Sequence, residues 1–191
     1  LECKYKHFDG SAFLFGIVSA WSTELTDVDR VASDFADVIS LSINSDIETE
    51  FPETQRQYGT RETGIENLRR LQYAHTVGEK ELFIVTEGSV AVGQAIITIS
   101  KKPPQQRDPA WSNVSGWLAH PYRGRGLGKF SLQERLKIVC DHFAGAAWTY
   151  VNKKNYISEA NVKGLGFMLL TGEVENWPQH NLFTWQQKRQ R

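Results

Sequence analysis

The chain has 191 residues, 40% of them apolar, which suits one α/β (α+β) domain spanning 1–191 with its own core. Lys plus Arg balance Asp plus Glu at 22 each, so no basic excess marks a nucleic-acid binder. The basic "KRQR" at 188–191 reads as a solvated end, and no stretch is long enough to span a membrane.

Cys3 and Cys140 stand far apart and make no disulfide framework; Cys140 falls on an apolar helix side and reads as a buried free thiol. These features suit a cytoplasmic protein. The chain does not start with Met, which points to a processed or trimmed chain or to a domain cut from something longer. Lys4 and Lys6 before "SAFLFGIVSA" have some parts of a signal peptide, but the run is short and Asp9 interrupts its approach. A first strand over 12–19 explains it better.

Val28, Val31, Phe35 and Val38 then form a helix stripe, with Thr26 and Asp29 as a capping box. Residues 44–62 lack periodicity and read as a loop, which carries Asp46, Glu48, Glu50 and Glu53. A second capping box, Thr63 with Glu66, opens a helix striped by Ile65, Leu68, Leu71 and His75. "ELFIVTEGSVAVGQAIITIS" is two strand-like runs around "EGS", a hairpin signal. "KKPPQQRDPA" is a proline-rich connection. "VSGWLAH" reads as the next strand. After the glycine stretch "YRGRGLGK", Leu132, Leu136, Val139 and Phe143 mark a helix ended by Gly145. "AAWTYV" is a buried-type strand, "SEANVKGLGF" a short helix with Ser158 at a plausible N-cap position, and "FMLL" and "NLFTWQQ" are closing strands.

A strand, a glycine-rich corner and a helix together make a phosphate-binding geometry. The first helical N–H groups lack intrahelical partners, and the helix dipole favours an anion there. Glycines let backbone N–H groups turn inward, and Arg123 and Arg125 add charge. A Walker A loop fails, because Gly128-Lys129 is followed by Phe130 and Arg123 stands where the first Gly belongs. The dinucleotide fingerprint fails on the spacing of Gly124, Gly126 and Gly128. [QR]-x-x-G-x-[GA] is met by Arg123, Gly126 and Gly128.

This last pattern resembles the acyl-CoA pyrophosphate loop of the GNAT superfamily of N-acetyltransferases. "GWLAHPYRGRGLGK" is similar to that family's fourth strand, its loop and the start of its third helix. "AWTYVNKKNYISEANVKGLGF" is similar to its fifth strand, an Asn, a short helix and the closing Gly166-Phe167. The resemblance covers about 113–170, and "GWLA" followed by "YRGRG" is nearest the branch that acetylates ribosomal-protein N-termini.

The resemblance implies a mixed sheet of about six to seven strands flanked by about four helices, with the fourth and fifth strands splayed. It implies acetyl-CoA as co-substrate and no metal. Pantetheine would lie along the backbone of Leu118, Ala119 and His120. Pyrophosphate would sit on Arg123, Gly124, Arg125, Gly126, Leu127, Gly128 and Lys129, and Asn155 would touch the cofactor. The acceptor would be a primary amine, on a protein N-terminus or a small molecule, bound by a monomer or homodimer without nucleic acid or membrane.

Two positions depart from the family. Its acidic Tyr is replaced by Val162, and the branch's Glu at the start of the fourth strand by Asn113. Ser158 stands where the branch carries Ser and is the candidate acid, though it also reads as a helix cap. Tyr150 and Tyr156 are secondary acid candidates. A water relay, Glu87 or a carboxylate of 44–62 could serve as base, and the acidic run there could border an amine site. The two departures keep a second reading open: a non-catalytic GNAT-like module that binds acyl-CoA as a sensor or partner-binding domain. No HExxH or G-x-S-x-G occurs, and the histidines lack metal-ligand spacing.

Overall fold

The computed structural model describes residues 4–7, 14–19, 77–87, 90–98, 111–143, 145–170 and 178–187, with 60, 62, 63, 66, 69, 70, 73 and 74. Its strands are β1 (Lys4–His7), β2 (Leu14–Ser19), β3 (Lys80–Glu87), β4 (Val90–Thr98), β5 (Ser112–Leu118), β6 (Ala146–Asn152), β7 (Met168–Leu169) and β8 (His180–Gln186). Helix α1 (Leu127–His142) joins β5 to β6, and α2 (Tyr156–Gly164) follows β6. The strands form one sheet in the order β1-β2-β3-β4-β5-β6-β8-β7. Every neighbouring pair is antiparallel except β5 and β6.

Among the described residues the sheet is thus the mixed one expected, with one strand more. The addition is β1, whose sequence "KYKH" carries no apolar run and is held by pairing Lys4 to Ile17 and His7 to Leu14. The "EGS" hairpin forms as expected, with Glu87 opposite Val90. A register shift follows: Val85 faces Gly93 while Thr86 faces Ala91, so Val92 is an extra residue on β4.

Alternation along β6 builds two layers. Ala147 and Val151 join Phe83, Val85, Ile97, Leu127, Leu136, Val139 and Phe183 on the α1 side. Ala146 and Trp148 join Trp111 and Leu182 on the other face, with Tyr150 against them. Each fully buried Leu, Val or Phe contributes roughly 1.5–3 kcal/mol, so this packing fixes α1 rigidly over β5 and β6. Cys140 is free, but half-buried rather than buried.

Glu62 and Thr63 are already helical, so this helix starts before the expected Thr63. Thr60 is its cap: the Thr63 N–H donates to Thr60 Oγ1 at 3.2 Å, and the Thr60 N–H donates back to Thr63 Oγ1 at 3.0 Å. That is a reciprocal capping box with Thr in place of Glu. The stripe residues Ile65, Leu68, Leu71 and His75 lie outside the described residues, as do the helix expected over Val28–Val38, Cys3 and the closing "KRQR".

Candidate functional site

Strands β5 and β6 pair only at Ser112 with Ala147 and Asn113 with Trp148. Beyond Asn113, β5 remains paired to β4 as far as Leu118 opposite Gly93, while β6 runs on with β8. The strands therefore splay, and a gap opens between residues 114–118 and the second half of β6. Asn113 marks its apex, where its Nδ2 donates to the Trp148 carbonyl at 3.3 Å like an extra rung. Its amide is thus committed to holding the strands together, and it is no base.

The direction of the β5 backbone follows from its end. The Ala119 N–H donates to the Val92 carbonyl on β4 at 2.9 Å. A side chain on Gly93 would collide with the Trp117 carbonyl, which therefore also faces β4. Backbone groups alternate between a strand's two edges, so those of Val114, Gly116 and Leu118 face the gap. The Ala119 carbonyl accepts from the Tyr122 N–H at 3.0 Å, so both backbone groups of Ala119 are used inside the chain. His120 opens the 3-10 turn His120–Tyr122.

The gap leads to the glycine corner. Gly124 and Gly126 both have φ 78°, the left-handed region where side chains are strained. Gly126 is the N-cap of α1, no side chain caps this helix, and its first turn has no acidic residue. The first intrahelical bond is from the Phe130 N–H to the Gly126 carbonyl at 3.0 Å, which leaves the N–H groups of Leu127, Gly128 and Lys129 at the open end. Arg123 Nε donates to the Leu118 carbonyl at 2.9 Å and ties the corner to the strand end. Arg125 Nη2 donates to the Pro121 carbonyl at 3.3 Å, with its guanidinium 5.7 Å from the Tyr122 ring centre. Both arginines thus help to shape the corner.

Asn155, not Ser158, caps α2: Asn155 Oδ1 accepts from the Ser158 N–H at 3.0 Å. Ser158 sits in the first turn, four residues before Val162 and so on the same helix face. Val162 is buried in the core. Tyr150 packs edge-on against Trp148 at 5.1 Å, and burial raises its pKa, which suits packing. Tyr156 is 75% exposed. The side chain of Glu87 and the carboxylates Asp46, Glu48, Glu50 and Glu53 lie outside the described residues.

Arg135 is a residue that sequence reading missed. It lies on α1 beneath β5, 5% exposed, with its Nε donating to the Ser131 carbonyl at 3.2 Å and its Nη1 to the Ser115 carbonyl. Burial pushes its pKa down to about 9, so it is still cationic at neutral pH. The one sequence signal was Gly116, since glycine inside a strand often marks a close approach. Among the described residues, no group of three His, Cys, Asp or Glu side chains could hold a metal ion, and no helix is long and apolar enough to cross a membrane.

No family model and no curated protein matches the chain by sequence. Solved structures do match it in shape. RimJ of Mycobacterium smegmatis, in complex with CoA-disulfide, is 14% identical with a TM-score of 0.69, over 96% of this chain and 86% of that one. The Salmonella typhimurium acetyltransferase that modifies the N-terminal serine of ribosomal protein L7/L12 is 15% identical with a TM-score of 0.67, over 93% and 97%. The ribosomal-protein-S5-alanine acetyltransferase of Vibrio fischeri is 12% identical with a TM-score of 0.65, over 97% and 98%. The chain has the fold of the GNAT acetyltransferases, as its segment 113–170 suggested.

Proposed function

We propose that this chain is an N-acetyltransferase that moves the acetyl group of acetyl-CoA to a primary amine. The observation that carries the reading is the gap between β5 and β6, which starts at Asn113 and ends on an uncapped helix N-terminus. A pantetheine arm carries amides of its own. It can lie in the gap as an added strand and bond the inward groups of Val114 and Gly116 and the N–H of Leu118. The pyrophosphate then meets the N–H groups of the corner from Gly124 to Lys129, with the charge of Arg123 and Arg125 beside it. Ala119 and His120 form the bend that aims the strand at this corner. Asn155 would offer the cofactor the amide nitrogen that its capping role leaves over.

The chemistry needs few protein groups. The amine nitrogen attacks the thioester carbon, and the carbonyl electron pair moves onto oxygen. The intermediate collapses, the C–S bond breaks with its pair on sulfur, the nitrogen loses one proton and the thiolate gains one. An inward N–H of β5 stabilises the oxyanion. An alkylammonium has a pKa of about 10.4, so a proton must leave before attack. We assign Ser158 as the group that returns a proton to sulfur; its position one turn before Val162 on the same face and its freedom from the capping role, which Asn155 fills, support this. The acetyltransferases that share this fold include ones that act on ribosomal proteins, which favours a protein N-terminus as acceptor. A soluble, cytoplasmic protein acting as monomer or homodimer fits this reading.

Thermal unfolding with acetyl-CoA, CoA, NAD and ATP tests the cofactor. At 100 times its Kd a ligand adds about 2.7 kcal/mol, or roughly 5–10 °C for a chain of this size. A shift with acetyl-CoA and CoA alone supports the reading; none, or an equal shift with ATP, refutes it. A panel of peptides and small amines, read by thiol release, tests the transfer. Buried Val162 and committed Asn113 favour one other reading, an acyl-CoA-binding module, for which the shift would come without turnover.

A further inference from the structure

We infer that Arg135 is a positioning residue for acetyl transfer, acting from beneath the sheet through the peptide bond between Ser115 and Gly116. The inference rests on the reading of the gap as the thioester site.

The geometry is specific. The Arg135 guanidinium donates to the Ser115 carbonyl. In a trans peptide the carbonyl and the following N–H point in opposite directions. The Ser115 carbonyl belongs to the β4 side, so the Gly116 N–H points into the gap. A cation on the carbonyl oxygen draws electron density through the amide and makes that N–H a stronger donor, as in any chain of polarised hydrogen bonds. The Gly116 N–H lies midway along the open edge, where it can meet the thioester oxygen as negative charge develops.

Two features set Arg135 apart from an ordinary buried cation. Among the described residues no carboxylate pairs with it, and burial pushes its pKa down. Its charge therefore acts on the Ser115 carbonyl with no described carboxylate beside it. Gly116 is also what allows the approach. A Cβ there would lie 3.1 Å from Nη2 and 3.2 Å from Nη1 of Arg135, and 3.1 Å from the Gln94 carbonyl. A buried cation without a carboxylate partner costs stability, so an apolar side chain of similar length would be neutral or better for folding alone. A function in the gap explains why a charge stands there.

The test compares wild type with Arg135→Met in two readouts. The first is steady-state kinetics with acetyl-CoA and an amine found by thiol release. The expected result is a kcat lower by about 3- to 10-fold, with the acetyl-CoA Kd within twofold and no fall in Tm. The second is the infrared carbonyl stretch of bound acetyl-CoA, which needs no acceptor. It should lie at lower wavenumber in wild type than in R135M, a change that a purely structural role would not produce. Should R135M not fold, Arg135→Gln, a neutral donor, takes its place in both readouts with the same expected direction. An unchanged kcat and stretch in the folded variant overturns the role of Arg135 while wild-type turnover keeps the transferase reading. A wild type that binds no acetyl-CoA overturns both.

Discussion

Gly128 offers a substitution whose effects on folding and on cofactor binding have opposite signs. It is the second residue of α1, at the open helix end. A Cβ placed there would meet Leu118 Cδ1 at 3.6 Å and Asn161 Nδ2 at 3.7 Å, both ordinary contacts. Gly128→Asp therefore fits. It removes a glycine from a helix and puts a carboxylate at the positive end of the dipole, a gain of about 0.5–1 kcal/mol. The expected rise in Tm without ligand is about 1–4 °C. In the proposed site the same carboxylate would meet the pyrophosphate. Two unit charges about 4 Å apart interact by roughly 4 kcal/mol at an effective dielectric of 20. Allowing for screening, about 3 kcal/mol remains, which weakens CoA binding more than 100-fold. Gly128→Ala is the control, with similar stabilisation and retained binding. Calorimetric titration with CoA and thermal unfolding without it read the two effects separately. CoA binding by G128D as tight as wild type would refute the corner as the pyrophosphate site. A lower Tm in both variants would refute the open space around Gly128.

Three further outcomes follow from the geometry. Ser158→Ala should slow acetyl transfer by tenfold or more while Tm and acetyl-CoA affinity hold, whereas Asn155→Ala should cost about 1 kcal/mol of stability as a lost cap; a fall in Tm for S158A as large as its fall in rate would mark Ser158 as structural. Thr60→Ala should lower Tm by about 2–4 °C and leave CoA binding unchanged, measured by the same pair of assays. Cys140, whose pKa burial and the Asp141 charge both raise, should alkylate more slowly than a free thiol at pH 8 and gain rate at higher pH, measured by mass in a Cys3→Ser background.

The legible parts of the chain were those where local chemistry and packing agree. Leu132, Leu136 and Val139 announced α1, and all are buried where the stripe required. The two strand-like runs around "EGS" announced the hairpin, and the buried-type run "AAWTYV" announced β6. Two caps were misread for one physical reason. Thr60 and Thr63, like Asn155 and Ser158, are capping residue types three positions apart, and composition cannot say which of two such residues lies just outside the helix. β1 was invisible because its apolar content is low and its partner supplies the order. The splay was legible only by resemblance: pairing that stops after Asn113 leaves no mark on the alternation of β5. Arg135 was hidden by the opposite effect, since a charged residue beside an apolar stripe normally reaches for solvent.

The sheet also manages a hazard. An unpaired strand edge is a template on which other chains can add and aggregate. Among the described residues the outer margins are short, with four residues in β1 and two in β7, and β1 carries Lys4 and Lys6. The open edge of β5 lies instead in the middle of the sheet, in the angle between two diverging strands and roofed by α1. A strand from a neighbouring molecule would have to enter that narrowing wedge end-on. Placing the open edge inside the sheet keeps its backbone groups away from the protein's own copies.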